Sequence, residues 1–417
     1  MRIGRVLALL VLWTFVSSAC GFSSDRAVTV LNCQGLVVTA GFWNGHIHLL
    51  SPAVLHADKR TPDEISSQTG PDADPVGFYD RVRHCFGARQ HQQHPASNRK
   101  GRGVWAANSH RRRTFLPEDG TPIYVKGFLE ENHIPSAEVQ STPQALERAQ
   151  EQIRDGADGI KIFAGAITAE GVLPMPMDQA KAIVAEAHRA GKPVFAHPSN
   201  SEGLEIAIQS GVDVLAHTAP MSGDWTLAFV HKLKAAHLAL IPTLTLFDVE
   251  AKKAKVSNEE HAMWISQPVQ ELKACSEAGG QILFGTDVGY IDQYDITQEF
   301  TLRARAGMSF QQILASLTTS PARRFGYASH SGSIAKGMDA DLVVLDGDPA
   351  KDVTAFAKVH QVIRGGKLIY PASLAKELRG FQPRQFQSSR PCLGFNHSLL
   401  RLSGFFAEPF PKRTQTF

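Results

Sequence analysis

The sequence predicts an α/β fold in which parallel strands alternate with helices, as a closed (β/α)₈ barrel or a large doubly wound sheet. Five successive helix–strand units lie between residues 142 and 287. Short apolar strands that alternate with helices of roughly ten to fifteen residues indicate parallel βαβ units. The composition, 43% hydrophobic and 20% charged, is that of a globular chain with a sizeable core. After the last helix, short strands joined by Gly/Asp turns predict a small β domain beside the parallel unit.

The first twenty residues are typical of a secretory signal. Arg2 and Arg5 precede an apolar run from Val6 to Val16, and a small-residue SSA segment (17–19) provides a cleavage site. The apolar run is too short to span a bilayer as a helix. Cys20 follows the small residues as the cysteine of a bacterial lipoprotein signal does, so Cys20 is a candidate for lipidation. We therefore expect an exported protein, either periplasmic or anchored to the envelope through a lipid on Cys20.

The basic stretch, residues 81–113, interrupts the pattern where a barrel would place its second strand and helix. It carries nine Lys or Arg residues and no Asp or Glu, and it has no apolar period of two or 3.6. We interpret it as an exposed basic loop or a diverged segment. A nucleic-acid patch is the functional alternative, but a formal net charge of +3 gives no reason to expect a nucleic-acid partner.

Helix-start and helix-stop signals mark the boundaries of the helices in the five units. Thr142-Pro143 begins the first helix (142–155), and Gly156 ends it before the strand GIKIFAG. A last helix covers 309–326, and the β-rich segments SGSIAKGMDADLVVLDGDP and VHQVIRGGKLIY follow it. The remaining helices are predicted at 177–190, 202–210, 224–236 and 259–278, before the strands VFAH, VDVLAH, LALIPTLTL and QILFGTD.

Five strand ends carry side chains of the kind that bind metals. Residues i and i+2 of a strand point to the same face, so both histidines of GHIH can aim at one point. In a (β/α)₈ barrel the carboxyl ends of all strands open on one face, where such side chains converge. Imidazole and carboxylate are ligands that zinc accepts in catalytic sites. We call these side chains the strand-end residues: His46, His48, Lys161, His197, His217 and Asp287.

Each strand-end residue also has a structural explanation when it is taken alone. A single His-x-His pair is unremarkable in a chain with 17 histidines. His197 or His217 alone would more often be a hydrogen-bonded core histidine, and Asp287 could cap a turn. Lys161 inside an apolar strand is harder to explain, because burying an unpaired ammonium group is costly. The joint pattern, in order and at strand ends, favours a metal site.

These motifs resemble the amidohydrolase superfamily, and within it the imidazolonepropionase-like and Xaa-Pro dipeptidase-like group. GFWNGHIHLL is similar to the strand-one signature of that group, and GADGIKIFAG to its strand four. VFAHPSN, VDVLAHTAP and ILFGTDVG are similar to strands five, six and eight, and GSIAKGMDADLVVLDGDP to the closing β-domain segment. The resemblance covers about 37–50 and 121–370 and implies a (β/α)₈ TIM-type barrel.

The resemblance also implies a metal centre with two divalent cations, which we expect to be zinc. His46 and His48 would bind one metal together with Asp287, and His197 and His217 would bind the second. Lys161, carboxylated by carbon dioxide, would bridge the two metals.

In the family, strands that precede the His-x-His motif complete the small β domain. Only about twenty residues separate Cys20 from Gly41 here, so we expect an incomplete β domain built from both chain ends. The expected organisation is a signal at 1–20, N-terminal strands at 21–41, the barrel at 42–328, the C-terminal β part at 329–372 and a tail at 373–417.

The expected activity is hydrolysis of an amide-like C–N bond in a dipeptide, an N-acyl amino acid or a cyclic amide. A metal-activated water would attack the carbonyl, with Asp287 as general base and then general acid. Tyr124 and Asn200 are candidate substrate-binding residues, the partner is a small molecule, and a homo-oligomer is left open. The alternatives are a single-metal deaminase or cyclic-amide hydrolase, in which Lys161 is structural, and an inactive exported protein. No G-x-S-x-G elbow supports a serine hydrolase.

Overall fold

The computed structural model describes residues 9–11, 30–48, 89–90, 114–131, 133, 135–291 and 293–370. Apart from a short strand at 9–11, the predicted signal lies outside these residues, as do Cys20 and the tail. The signal and the lipidation of Cys20 therefore stay predictions. In the described part of the chain, no helix combines the length and apolar composition that crossing a membrane requires.

The strands are β1 (Leu9–Val11), β2 (Val30–Asn32), β3 (Val37–Ala40), β4 (Trp43–Asn44), β5 (Arg89–Gln90), β6 (Leu116–Pro117), β7 (Glu138–Val139), β8 (Ile160–Phe163), β9 (Gly165–Ile167), β10 (Val172–Pro174), β11 (Val194–His197), β12 (Val214–Ala216), β13 (Ala239–Ile241), β14 (Gln281–Ile282), β15 (Leu342–Leu345), β16 (Val359–Arg364) and β17 (Lys367–Tyr370). The α-helices are α1 (Ile123–Glu131), α2 (Thr142–Arg154), α3 (Met177–Arg189), α4 (Ser201–Ser210), α5 (Leu227–Ala235), α6 (Leu244–Ala254), α7 (Asn258–Glu277), α8 (Thr297–Arg305), α9 (Phe310–Leu317) and α10 (Thr319–Arg324), with a 3₁₀ helix at Val353–Ala357.

A parallel sheet in the order β8-β11-β12-β13-β14 forms the centre of the fold. At one edge, Gly45 donates its N–H to the carbonyl of Phe284 at 2.8 Å, which joins the β4 segment to the β14 segment. At the other edge, Phe115 forms a parallel bridge to Ile162 in β8. The α/β class with parallel strands is confirmed.

The second-strand position is held by β5, which lies in the basic stretch and pairs with β4 in parallel. β14, β4 and β5 thus follow one another, as strands eight, one and two do around a (β/α)₈ barrel. The described hydrogen bonds leave the sheet open between β5 and β6, where residues 91–113 lie outside the described part of the chain.

The predicted helix boundaries hold where the chain carries capping residues. Ser141 accepts the N–H of Gln144 at the start of α2, where Pro143 occupies the first turn. Gly211 ends α4 in the left-handed conformation, with φ of 84°. Ser257 and Glu260 form a reciprocal capping box at the start of α7.

The interpretation of LALIPTLTL as one strand was wrong. Only Ala239–Ile241 forms strand β13, and helix α6 begins at Leu244. Pro242 has no N–H to donate to the neighbouring strand, and Thr243 takes a left-handed conformation with φ of 47°. The single last helix at 309–326 was also wrong, because Thr318 breaks it into α9 and α10.

A second, antiparallel sheet in the order β3-β15-β16-β17 joins one strand near the start of the chain to three at the end of the described residues. Aromatic rings connect it to the parallel unit. Phe42 and Phe356 lie 6.1 Å apart between ring centroids, and Phe356 and Phe300 lie 5.3 Å apart. All three rings are buried in one core with the parallel strands, so this sheet packs against the parallel unit.

Candidate metal centre

The parallel strands bring the strand-end residues together at their carboxyl ends. The ring centroids of His46 and His48 are 5.2 Å apart, and those of His46 and His217 are 4.8 Å apart. His197 and His217 are 4.7 Å apart between ring centroids. Residues that are up to 171 positions apart along the chain, from His46 to His217, therefore face one another across the sheet.

Asp287 lies at the centre of the group of metal donors that it forms with His46 and His48. Its Oδ1 atom is 3.0 Å from Nε2 of His46 and 2.9 Å from Nε2 of His48. Donor atoms of these three residues all lie within 4.8 Å of one another, close enough to hold one metal ion. Asp287 is buried, whereas 44% of the His48 side chain is exposed. The group is therefore reached from the His48 side.

Lys161 contributes a buried amine from the middle of β8. Its Nζ atom is buried and has no hydrogen-bond partner among the described residues. It lies 5.9 Å from the ring centroid of Phe163, on which the His197 ring stacks at 4.5 Å. Burial lowers the pKa of Lys161 to about 7, and the carboxylate of Asp287 only partly opposes this. Much of this amine is neutral at neutral pH.

Burial favours the neutral, metal-binding form of His46, His197 and His217. Burial and the nearby charge of Lys161 lower the pKa of His46 to about 4. Burial also lowers the pKa of His197 and His217 well below its ordinary value. Burial alone would raise the pKa of Asp287, but the surrounding imidazoles outweigh it and keep that pKa well below its ordinary range. Neutral imidazoles around an ionised carboxylate are ready-made metal ligands.

The backbone is strained where two of these side chains project. His217 has φ of 83° and Asp287 has φ of 60°. Left-handed φ values in residues other than glycine cost about 1–3 kcal/mol each and cluster at functional sites. The surrounding hydrogen bonds hold the turn in place, since the N–H groups of Thr286 and Asp287 both donate to the carbonyl of His46, at 3.1 and 2.9 Å.

Glycine is required where the segment after β4 meets the segment after β14. A Cβ atom on Gly285 would lie 2.9 Å from Cβ of His46 and closer still to a methyl group of Ile241. A Cβ on Gly289, which has φ of 98°, would overlap the carbonyl of His48. These two glycines allow the His46–His48 segment to approach Asp287.

Gly285→Ala is therefore expected to weaken metal binding and to destabilise the metal-free protein by about 1–3 kcal/mol, as overpacking does. Gly127→Ala is the matched control, because nothing lies within 4 Å of a Cβ at that exposed helical position. Zinc titration and thermal unfolding of both variants measure the effect. Equal zinc affinity in the two variants would contradict the close-approach argument.

The donor set fits a bound divalent cation. Nζ of Lys161 is buried and has no hydrogen-bond partner among the described residues, whereas the buried Nε2 of His46 and Oδ1 of Asp287 lie 3.0 Å from each other. Buried polar atoms are nearly always paired, so the amine of Lys161 needs an explanation. Imidazole nitrogen and carboxylate oxygen are donors that zinc takes, and His46, His48 and Asp287 are close enough to one another to hold such a cation.

The two predicted substrate-binding residues lie in different settings. The ring of Tyr124 in α1 is 5.4 Å from that of Tyr290, which is 6.2 Å from the ring of His48. Asn200 uses its side-chain oxygen to cap α4, accepting the N–H of Gly203 at 2.9 Å. Substrate binding by either residue stays a prediction.

Sequence reasoning missed Tyr290 and Thr243. Tyr290 follows Asp287 by three residues and lies under Nζ of Lys253, 4.9 Å from its ring centroid. Burial and the charge of Glu250 raise the pKa of the Tyr290 phenol. The aromatic residue directly after the strand-eight motif was the available signal for Tyr290.

The chain is similar in sequence to a curated enzyme and in fold to solved structures. Ochratoxinase from Aspergillus niger is 27% identical over 232 residues, which cover 52% of this chain and 47% of that enzyme. The match thus spans about half the length of the curated relative. A solved Xaa-Pro dipeptidase with bound methionine has a TM-score of 0.64 and 23% identity, covering 81% of this chain and 87% of its own.

The solved A. niger ochratoxinase has a TM-score of 0.61 and 17% identity, covering 80% of this chain and 83% of its own. These structural likenesses show the fold. Residues 117–369, more than half of the chain, match the amidohydrolase family. The chain belongs to the amidohydrolase family.

Proposed function

We propose that the protein is a metal-dependent hydrolase of amide-like C–N bonds. The observation that carries the proposal is the convergence of His46 and His48 on a single buried oxygen of Asp287, at 3.0 and 2.9 Å. Family membership supports the same chemistry.

Two divalent cations, which we propose to be zinc, are assigned to the strand-end residues. His46, His48 and Asp287 would hold one cation, and His197 and His217 would hold the other. When bound, the metals supply Lewis acidity and lower the pKa of a water molecule towards about 7. The surrounding imidazoles hold the pKa of Asp287 well below its ordinary range despite its burial, so the ionised carboxylate could take a proton as general base and return it to the leaving nitrogen.

Lys161 is proposed to carry a carboxyl group from carbon dioxide and to bridge the two cations. The buried amine without a described partner supports this role, because carboxylation replaces a desolvated ammonium by an anion between two cations. The Phe163 ring, on which His197 stacks, lies on one side of the amine.

The amount of zinc that the metal-free protein takes up on incubation with zinc and bicarbonate is expected to rise as the pH increases through about 7. Only the neutral amine attacks carbon dioxide, and the pKa of Lys161 falls from its ordinary 10.5 to about 7 on burial. Below that pH the amine is mostly protonated, and above it mostly neutral. Zinc content after a fixed incubation, at constant dissolved carbon dioxide, measures the profile. A midpoint near the ordinary lysine value, or no dependence on carbon dioxide, would contradict carboxylation.

The substrate is proposed to be a dipeptide, an N-acyl amino acid or a cyclic amide. The similarity to proteins named Xaa-Pro dipeptidase and ochratoxinase supports small amides as the class. His48 is the exposed side of the centre, and the Tyr124–Tyr290 pair beside it supports an apolar or aromatic substrate group there.

An assay panel of these three substrate classes, with zinc-loaded and chelated protein, tests the proposal. Metal-dependent turnover of one class is expected, and no turnover with full zinc would favour the inactive alternative.

A single-metal hydrolase or deaminase is the second candidate, with Lys161 in a structural role. It is favoured by the fact that the compact donor group contains His46, His48 and Asp287, without His197 or His217, among the described residues. The metal content per chain separates the two proposals, because the bridged centre requires two equivalents.

A further inference from the structure

His217 and Thr243 are neighbours at the ends of adjacent strands. His217 follows β12, and its N–H donates to the carbonyl of Ile241 at the end of β13, at 2.8 Å. Thr243 lies two residues beyond Ile241, and its exposed fraction is 0%. The Thr243 Oγ1 atom lies 2.7 Å from Nδ1 of His217. This contact leaves Nε2 as the ring nitrogen available to a cation.

The hydrogen bonds of the Thr243 hydroxyl determine which nitrogen of His217 carries the proton. Oγ1 donates to the carbonyl of Pro242 at 2.9 Å. A hydroxyl has one proton, and a carbonyl can only accept. Oγ1 must therefore accept from the imidazole, so Nδ1 of His217 is the protonated nitrogen and Nε2 has a free lone pair.

The geometry of Thr243 is held by groups outside the metal centre. Thr243 has φ of 47°, an uncommon value for a β-branched residue. Glu299 accepts from both the N–H and the hydroxyl of Thr245, at 2.9 and 3.1 Å. Arg303 donates to Glu299 at 3.1 Å, and both side chains are buried. The ion pair fixes the start of α6 and, through it, the turn that contains Thr243.

We propose that Thr243 is a positioning residue that selects the Nδ1–H tautomer of His217 and aims Nε2 at the second cation site. The proposal rests on the metal centre described under the proposed function. Thr243 would then act as an outer hydrogen-bond partner of a metal-bound histidine. Loss of such a partner costs about 10- to 100-fold in metal affinity.

The test compares Thr243→Val, which removes the hydroxyl but keeps the branched shape, with Thr243→Ser, which keeps the hydroxyl. Thr39→Val is the control, because it removes a buried hydroxyl in the small antiparallel sheet. The ring-nitrogen NMR spectrum of ¹⁵N-histidine-labelled, metal-free protein reports the tautomer, with His217 identified by its loss in His217→Gln. Zinc titration against a competing chelator reports the affinity.

Metal-free wild type and Thr243→Ser are expected to show the Nδ1–H tautomer at His217. Thr243→Val is expected to lose it and to bind one zinc about 10- to 100-fold more weakly, while Thr39→Val matches wild type. If Thr243→Val does not fold, Thr243→Ala replaces it.

An unchanged tautomer and zinc affinity without the hydroxyl would overturn the proposal, as would a serine variant as impaired as the valine one. The tautomer is read without metal or substrate. Failure of the proposed metal centre would therefore be seen separately, as wild-type protein that shows the tautomer but binds no zinc.

Discussion

Lys161→Ala is expected to lose bound metal and activity together, with activity falling on the order of 10³-fold, the scale of losing a preorganised charged group. In the proposed centre the bridging anion would balance two cations, and without it His197 and His217 would have to hold a cation with no anionic ligand beside them. Metal content of the purified variant and kcat on the best substrate of the panel measure the two losses. Full zinc occupancy in the variant would refute the bridging role.

Lys161→Met separates the chemistry of Lys161 from its packing. Methionine fills a similar volume without an amine, so the cavity cost of alanine is avoided. We expect the same loss of metal and activity in both variants. The metal-free methionine variant should be at least as stable as the metal-free wild type, because a buried amine without a described partner has been removed.

Asp287→Asn is expected to lower kcat on the order of 10²- to 10⁴-fold, the range that a general acid–base contributes. The amide cannot accept the proton that the carboxylate takes, and it brings no negative charge to the His46–His48 pair. Because the surrounding imidazoles lower the pKa of Asp287 against the effect of burial, the wild type carries this charge at neutral pH.

Asp346→Asn is the matched control for Asp287→Asn. Asp346 also contacts a histidine, with Oδ1 at 2.7 Å from Nδ1 of His360, but it lies in the small antiparallel sheet region. Metal content and kcat of this control are expected to equal those of the wild type. A loss in the control as large as that of Asp287→Asn would point to a general effect of breaking an Asp–His pair.

The sequence predicted the part of the site that follows from strand periodicity. His46 and His48 share a face because side chains alternate along a strand. His197, His217 and Asp287 converge because parallel strands place their carboxyl ends on one side. These local rules predict that the strand-end residues share one end of the sheet, where neighbouring rings of the four histidines lie 4.7 to 5.2 Å apart between centroids.

These rules could not predict the residues that surround the metal centre. Thr243 was taken as part of an apolar strand, because nothing in LALIPTLTL signals a left-handed turn and a new helix except Pro242. Tyr290 meets Tyr124 across 166 positions of sequence, and only the fold brings their rings within 5.4 Å. Helix α8 carries the Glu299–Arg303 pair that fixes this turn, and its polar residues gave no apolar period to predict it.

Metal analysis of the purified wild-type protein tests the central claim most directly. The donors in β8 and at the carboxyl ends of β4, β11, β12 and β14 predict close to two zinc equivalents per chain, reduced in Lys161→Ala. One equivalent in both proteins would contradict the bridge at Lys161. Wild-type protein that retains no divalent metal from a zinc-containing buffer would contradict the metal centre itself.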